Sequence, residues 1–257
     1  MMDHKELQKL AARLGFRAIE SNWSDYADAP WLEDLLRAEE NEREKRSLER
    51  RIKDAQIGQF KPMSDFDWSW PKKIDRDHVE ELFSMSFLTE KANVVLVATN
   101  GLGKTMICQN LAYKALLAGH TTRFVKASKM LDELLECESS AARRRRIKKF
   151  SRIELLLIDE VGYMSYDNRY ADLLYEVISE RYQKQSTIVT TNKAFTEWGE
   201  VFPNAACVVT MVDRLTHNAD LVLIEGESYR HHEAEMRAQA KENARKVKNS
   251  KTRKKGE

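Results

Sequence analysis

The stretch from Asn93 to Thr105 leaves this chain few folds to choose from. Val94, Val95, Leu96 and Val97 make an apolar run of strand length. Ala98-Thr-Asn-Gly101-Leu-Gly103-Lys104-Thr105 follows at once, and an amphipathic helical pattern begins directly after it. A buried strand turning through glycines into a helix is the arrangement that binds phosphate. Gly101 and Gly103 let the backbone curl so that several N–H groups face one anion, and the helix N-terminus adds its positive end. Lys104 is expected at the β- and γ-phosphates of a nucleotide triphosphate, and the Thr105 hydroxyl on Mg²⁺. The cradle as a whole covers Asn100, Gly101, Leu102, Gly103, Lys104, Thr105 and Met106. Ala98 stands where the G-x-x-x-x-G-K-[ST] pattern has its first glycine.

A second block adds hydrolytic chemistry. Ile153-Glu-Leu-Leu-Leu-Ile158-Asp159-Glu160 is a branched apolar run ending in two carboxylates. Such a run reads as a central parallel strand delivering acids to the C-terminal edge of a sheet. By itself it could equally be a core strand followed by a solvated acidic turn. Paired with the phosphate loop, it predicts Asp159 acting through the Mg²⁺ shell and Glu160 orienting and polarising the attacking water.

The remaining pattern supplies the sheet. Helix is expected over about 75–88, strand over 93–97, helix to Leu117 (stopped by Gly119), strand over 121–127, and helix near 128–137. The acidic strand follows at 153–158, then helix at about 169–184, strand at 186–191, helical stretches to about 218 and a last strand at 220–224. Five strands alternating with helices predict an α/β fold with a parallel sheet flanked by helices. Upstream, residues 1–57 read as a small helical N-terminal domain. Leu7, Leu10 and Leu14 mark one short helix, 22–30 a loop, and a long charged helix starts at Trp31. Its Arg43, Lys45, Arg46, Arg50, Arg51 and Lys53 alternate with acids, which suits either a salt-bridged exposed face or one turned to DNA. Residues 58–74 hold two prolines and the aromatics Phe60, Phe66, Trp68 and Trp70, and read as an ordered strap on the core. The ATPase core then occupies 75–232, with a basic tail over 233–257.

Charge and composition set limits on partners and surroundings. At 42% hydrophobic and 33% charged residues, with apolar runs only strand-sized, the chain is expected in the cytoplasm with no membrane span. Three scattered cysteines, Cys108, Cys137 and Cys207, suit core thiols rather than a zinc cluster or a disulfide framework. The net charge of +2 is uneven: residues 233–257 alone carry +5. That tail is expected as a solvated helix extension or a disordered arm, and it either attracts DNA or aids solubility. The block Arg143-Arg144-Arg145-Arg146-Ile147-Lys148-Lys149 is the stronger candidate for phosphate contact with DNA. Its alternatives are a solvated basic helix face, or charges pairing with Glu133, Glu136 and Glu138. The loop Tyr163–Tyr170 is a second candidate, and its aromatics could equally be core.

Three further features bear on the type of ATPase. Thr190-Thr191-Asn192 ends a strand beside the acidic one, where a polar side chain could touch the γ-phosphate and the attacking water. Arg214 in Val212-Asp213-Arg214-Leu215 lies at a helix end before the last strand, away from its own phosphate loop. It is either a surface salt bridge with Asp213 or Glu197, or an arginine finger for a neighbouring subunit. Glu227-Ser228-Tyr229-Arg230 follows the last strand, where a short helix could return Arg230 to the phosphates.

Taken together, these blocks resemble the IstB-like insertion-sequence ATP-binding proteins, which are similar to the DnaC and DnaA branch of AAA+ ATPases. The resemblance spans nearly the whole chain. It rests on Trp-Leu-x-x-Leu-Leu-Arg-Ala-Glu (31–39), Gly-Leu-Gly-Lys-Thr (101–105), Leu-Leu-Ile-Asp-Glu-Val-Gly-Tyr (156–163), Thr-Thr-Asn (190–192), Val-Asp-Arg-Leu (212–215) and Glu-Ser-Tyr-Arg (227–230). It implies Asn192 as first sensor, Arg230 as second and Arg214 as a finger acting in trans. It also implies ATP-dependent assembly into a ring or spiral homo-oligomer on DNA, with a transposase as partner. A replicative helicase loader is the alternative on the same fold. A small-metabolite kinase and a non-hydrolysing DNA scaffold are alternatives of other classes.

Overall fold

Short strands buried along nearly their whole length, with helices between them, produce a parallel sheet covered on both faces. The computed structural model describes residues 2–163, 168–202 and 206–253, in two units, Met1–Asp54 and Ala55–Glu257.

The first unit is helical: α1 (His4–Arg13), α2 (Arg17–Ser21), α3 (Trp23–Tyr26) and α4 (Leu32–Ala55). Asp3 caps α1, accepting from the Glu6 N–H at 2.7 Å, while the Glu6 carboxylate accepts from the Asp3 N–H. Leu7, Leu10, Leu14, Ile19, Leu32 and Leu36 form its core. The expected loop at 22–30 contains the single turn α3, because Trp23 and Tyr26 pack onto that core. Along α4, Glu33–Arg37, Glu39–Arg43 and Glu42–Arg46 pair one turn apart, so Arg43 and Arg46 take the salt-bridged role.

In the second unit, the helix expected over 75–88 is two: α5 (Arg76–Leu82) and α6 (Ser86–Thr89). Met85 separates them in the left-handed region at φ +65°. There follow β1 (Asn93–Ala98), α7 (Lys104–Leu117), β2 (Thr122–Lys126), α8 (Ala127–Leu135), α9 (Ser140–Ser151) and β3 (Leu155–Val161). The chain continues through α10 (Asn168–Arg181), β4 (Ser186–Thr191), α11 (Trp198–Val201), α12 (Val208–Thr216), β5 (Ala219–Ile224) and α13 (Tyr229–Arg253). The basic segment left unassigned by pattern is α9, capped by Ser139 accepting from the Ala142 N–H at 3.1 Å. The short helix expected after β5 continues as α13 to Arg253.

All five strands are parallel, in the order β2-β3-β4-β1-β5. Leu156, Ile158 and Val189 join a buried cluster with α8, α10 and α12. By the period of two, the equally buried Leu155, Leu157 and Ile188 point to the other face, where α7 buries Ile107, Cys108, Leu111 and Leu116. Each such side chain contributes about 1.5–3 kcal/mol when fully buried. The order matters for the site: β4 lies between the phosphate-loop strand β1 and the acidic strand β3, so the end of β4 falls between loop and acids.

Candidate nucleotide site

The loop after β1 owes its shape to two glycines. Gly101 and Gly103 sit at φ +82° and +88°, where a side chain is strained. Space is closed to them as well. A Cβ on Gly101 would collide with the Ser228 hydroxyl, and one on Gly103 would lie 2.5 Å from the Phe66 ring. The Tyr229 N–H donates to the Gly101 carbonyl at 3.1 Å, so α13 starts against the loop. Lys104 is buried, and its ammonium donates to the Ala98 carbonyl at 2.5 Å and the Thr99 carbonyl at 2.9 Å. Burial lowers its pKa below the ordinary lysine value; Asp159 opposes that shift and the nearby Arg230 adds to it.

The acids sit on an irregular stretch of β3. Pairing with β4 skips between Ile158 and Val161, and Glu160 lies at φ +64° within the skip. The bulge re-aims two successive side chains. Asp159, 2% exposed, accepts from the Thr105 hydroxyl at 3.2 Å and from the Thr190 hydroxyl at 2.5 Å. Burial raises its pKa; the Thr190 hydrogen bond offsets part of the rise, and Glu160 adds to it. Glu160 instead turns outward and pairs with Lys126 at 2.7 Å, a contact that holds the Lys126 ammonium above the usual lysine range.

Asn100 through Met106, Glu160, Asn192 and Arg230 all line one cavity of about 590 Å³. The Asn192 carboxamide oxygen is buried there with no hydrogen-bond partner among the described residues, an acceptor that a donor on a bound molecule would satisfy. Among the described residues no three His, Cys, Asp or Glu gather as a metal site. One carboxylate and one hydroxyl, Asp159 and Thr105, fit a hard cation whose other ligands are phosphate oxygens and water.

The opposite wall of the cavity is the strap, whose Gln59, Phe60, Lys61, Asp65, Phe66, Asp67, Trp70 and Pro71 face the loop. Sequence reasoning identified the strap but not its tie to the site. Two amides on α7 fasten it. Gln109 donates to the Ile57 carbonyl at 2.8 Å; Asn110 donates to the Lys61 carbonyl at 2.9 Å and accepts from the Met63 N–H at 3.1 Å. Farther on, the Trp70 indole donates to the Glu227 carbonyl at 2.8 Å and stacks on His232 at 4.1 Å. Lys126 was also missed, since only the β2–β3 register sets it opposite Asp159.

Residues 3–237 match the family model described as IstB-like ATP binding protein. The chain belongs to that family. An ATP-binding protein named for insertion sequence IS21 of Pseudomonas aeruginosa is 34% identical over 195 residues, covering 76% of this chain and 74% of the relative. One named for IS5376 of Geobacillus stearothermophilus is 29% identical over 235 residues, covering 88% and 94%. Among solved structures, DnaI superposes with a TM-score of 0.54 at 14% identity, over 66% of this chain and 93% of that one. The replication initiator DnaA bound to AMPPCP and single-stranded DNA gives 0.51 at 15%, over 63% and 52%. These likenesses show the fold: a five-stranded parallel sheet flanked by helices, shared with DnaI and DnaA.

Other expected residues of this IstB-like chain lie elsewhere. Arg214 lies in the last turn of α12, which leads into the start of β5, so it stands at the sheet edge opposite the phosphate loop. It stacks over the rings of Tyr175 and Tyr182, at 5.1 and 5.6 Å, and Glu197 pairs with Lys193 instead. On α9 the helical period splits the basic block. Arg143 donates to the Leu134 carbonyl and Arg146 pairs with Glu133, while Arg144, Arg145, Lys148 and Lys149 share one exposed face. Of the Tyr163–Tyr170 loop, residues 164–167 lie outside the described residues; Tyr163 is half exposed and the Tyr170 hydroxyl donates to Asp132 at 2.8 Å. No helix among the described residues is long and apolar enough to cross a membrane.

Proposed function

We propose that this protein hydrolyses ATP, assembles on DNA with ATP between neighbouring subunits, and assists a transposase. The observation that carries this reading is one cavity lined by the phosphate loop, Glu160, Asn192 and Arg230, with Asp159 hydrogen-bonded to the loop's own Thr105. In it, Lys104 and the loop amides hold the phosphates. Asp159 and Thr105 would hold Mg²⁺, which when bound would neutralise charge on the phosphate oxygens. Glu160 accepts a proton from water as the water oxygen bonds to the γ-phosphorus and the bond to the bridging oxygen breaks, giving ADP and phosphate. Asn192 and Arg230 report whether the γ-phosphate is present.

Placement of Arg214 far from its own loop supports a role on a neighbour's nucleotide, and the exposed face of α9 supports phosphate contact with DNA. The curated relatives are named for insertion sequences, which favours transposition over helicase loading. The test is Glu160→Gln. The variant should bind ATP normally, hydrolyse it at least about 100-fold more slowly, and stay on DNA far longer than wild type. Unchanged turnover refutes the assignment.

A further inference from the structure

One hydroxyl joins the two acids from the neighbouring strand. Thr190, on β4, is 1% exposed and opposes Leu96 of β1. Its oxygen accepts the Glu160 N–H at 2.8 Å and its proton goes to Asp159 Oδ1 at 2.5 Å. Both bonds fall at the bulge, where the β3–β4 ladder skips and an extra residue loses its strand partner. The Thr190 side chain therefore replaces the missing ladder bond. It holds Glu160 at φ +64°, a conformation costly for a residue with a Cβ.

We infer that Thr190 is the positioning residue that fixes the acid pair, turning Asp159 toward Thr105 and setting Glu160 at the cavity wall, where its carboxylate pairs with Lys126. The consequence for turnover rests on the hydrolytic reading above; the geometric role does not. Thr191, the next residue, does a different job: its hydroxyl accepts from the Lys193 N–H at 3.1 Å and donates to the Lys193 carbonyl at 3.2 Å, closing the turn beyond the strand. Asn192 follows two residues after Thr190, so one strand end carries both the group that pins the acids and a carboxamide that lines the cavity.

The experiment compares full-length wild type with Thr190→Val, which keeps the shape and loses the hydroxyl, Thr190→Ala, and Thr190→Ser, which keeps the hydroxyl. In nucleotide-free protein, hydrogen exchange at the Glu160 amide should speed up about 10-fold or more in Val and Ala and stay near wild type in Ser. In ATP hydrolysis, kcat should fall about 10- to 100-fold in Val, with the KM for ATP changed less than about threefold, and Ser should restore it. If Val does not fold, Ala carries the same comparison. Wild-type exchange and kcat in a folded variant lacking the hydroxyl overturn the proposal. If wild type itself does not hydrolyse ATP, the functional reading fails, and Glu160 exchange still decides the positioning role: faster in Val upholds it, unchanged overturns it.

Discussion

Arg181→Met should destabilise the second unit without touching the nucleotide. Arg181 is 1% exposed at the end of α10. Its guanidinium donates to the Phe150 and Ile153 carbonyls at 2.7 Å each, to the Thr187 hydroxyl at 2.9 Å, to the Glu154 carbonyl at 3.5 Å, and to the Ser186 carbonyl. These acceptors flank the starts of β3 and β4, so one side chain sets the register of the strands that carry Asp159 and Thr190. Methionine fills most of the volume but leaves the acceptors unpaired, at about 1–3 kcal/mol for each that finds no water. Against that, the dehydration of the charge, which pulls the guanidinium down to about 9, is recovered. The net loss should be about 2–4 kcal/mol. Because the native and unfolded states both keep this proton below pH 9, the loss should be constant from pH 6 to 8. With a slope of about 2 kcal/mol per molar urea, the unfolding midpoint followed by circular dichroism should drop by about 1–2 M. Lysine should not rescue it, since one ammonium cannot span five acceptors. A change under about 0.5 kcal/mol, or full rescue by lysine, would refute the argument.

Lys104→Ala should abolish nucleotide binding, read by a fluorescent ATP analogue; normal affinity in that variant contradicts the phosphate-loop assignment. Asp159→Asn should raise the Tm of the nucleotide-free protein by about 2–4 °C while removing turnover. Burial raises the Asp159 pKa in the folded state, so its ionised form is a cost that grows as pH rises above the unfolded carboxylate value, and the gain from Asn should shrink as pH falls toward that value. Replacing Arg144, Arg145, Lys148 and Lys149 with alanine should weaken DNA binding equally across sequences and flatten its salt dependence, by up to about four units of log–log slope per subunit. Loss of affinity confined to one DNA sequence would contradict a phosphate-only face.

What could be read from sequence was whatever the chain writes locally. The strand–glycine–helix run declares itself within thirteen residues, and the acidic strand and five-stranded parallel sheet follow from apolar periodicity. Contacts between distant segments were harder. Arg230 could be suspected near the phosphates, but the Tyr229–Gly101 hydrogen bond that puts α13 there joins residues with no shared pattern. Strap aromatics announce burial without naming the surface they cover. Arg181 fell on the apolar stripe of α10 and carried no sign that it was a hub of carbonyls. Lys126 and Thr190 need the strand order and register before either can be set beside an acid. The basic block looked uniform until α9 divided it by helical period.

The measurement that bears most directly on the central proposal is the mass of the purified protein by light scattering, on duplex DNA with ATP, with ADP and with no nucleotide. ATP between subunits predicts a large complex with DNA and ATP alone, and small species in the other two conditions. A monomer in all three would contradict assembly through a shared nucleotide and remove the trans role proposed for Arg214.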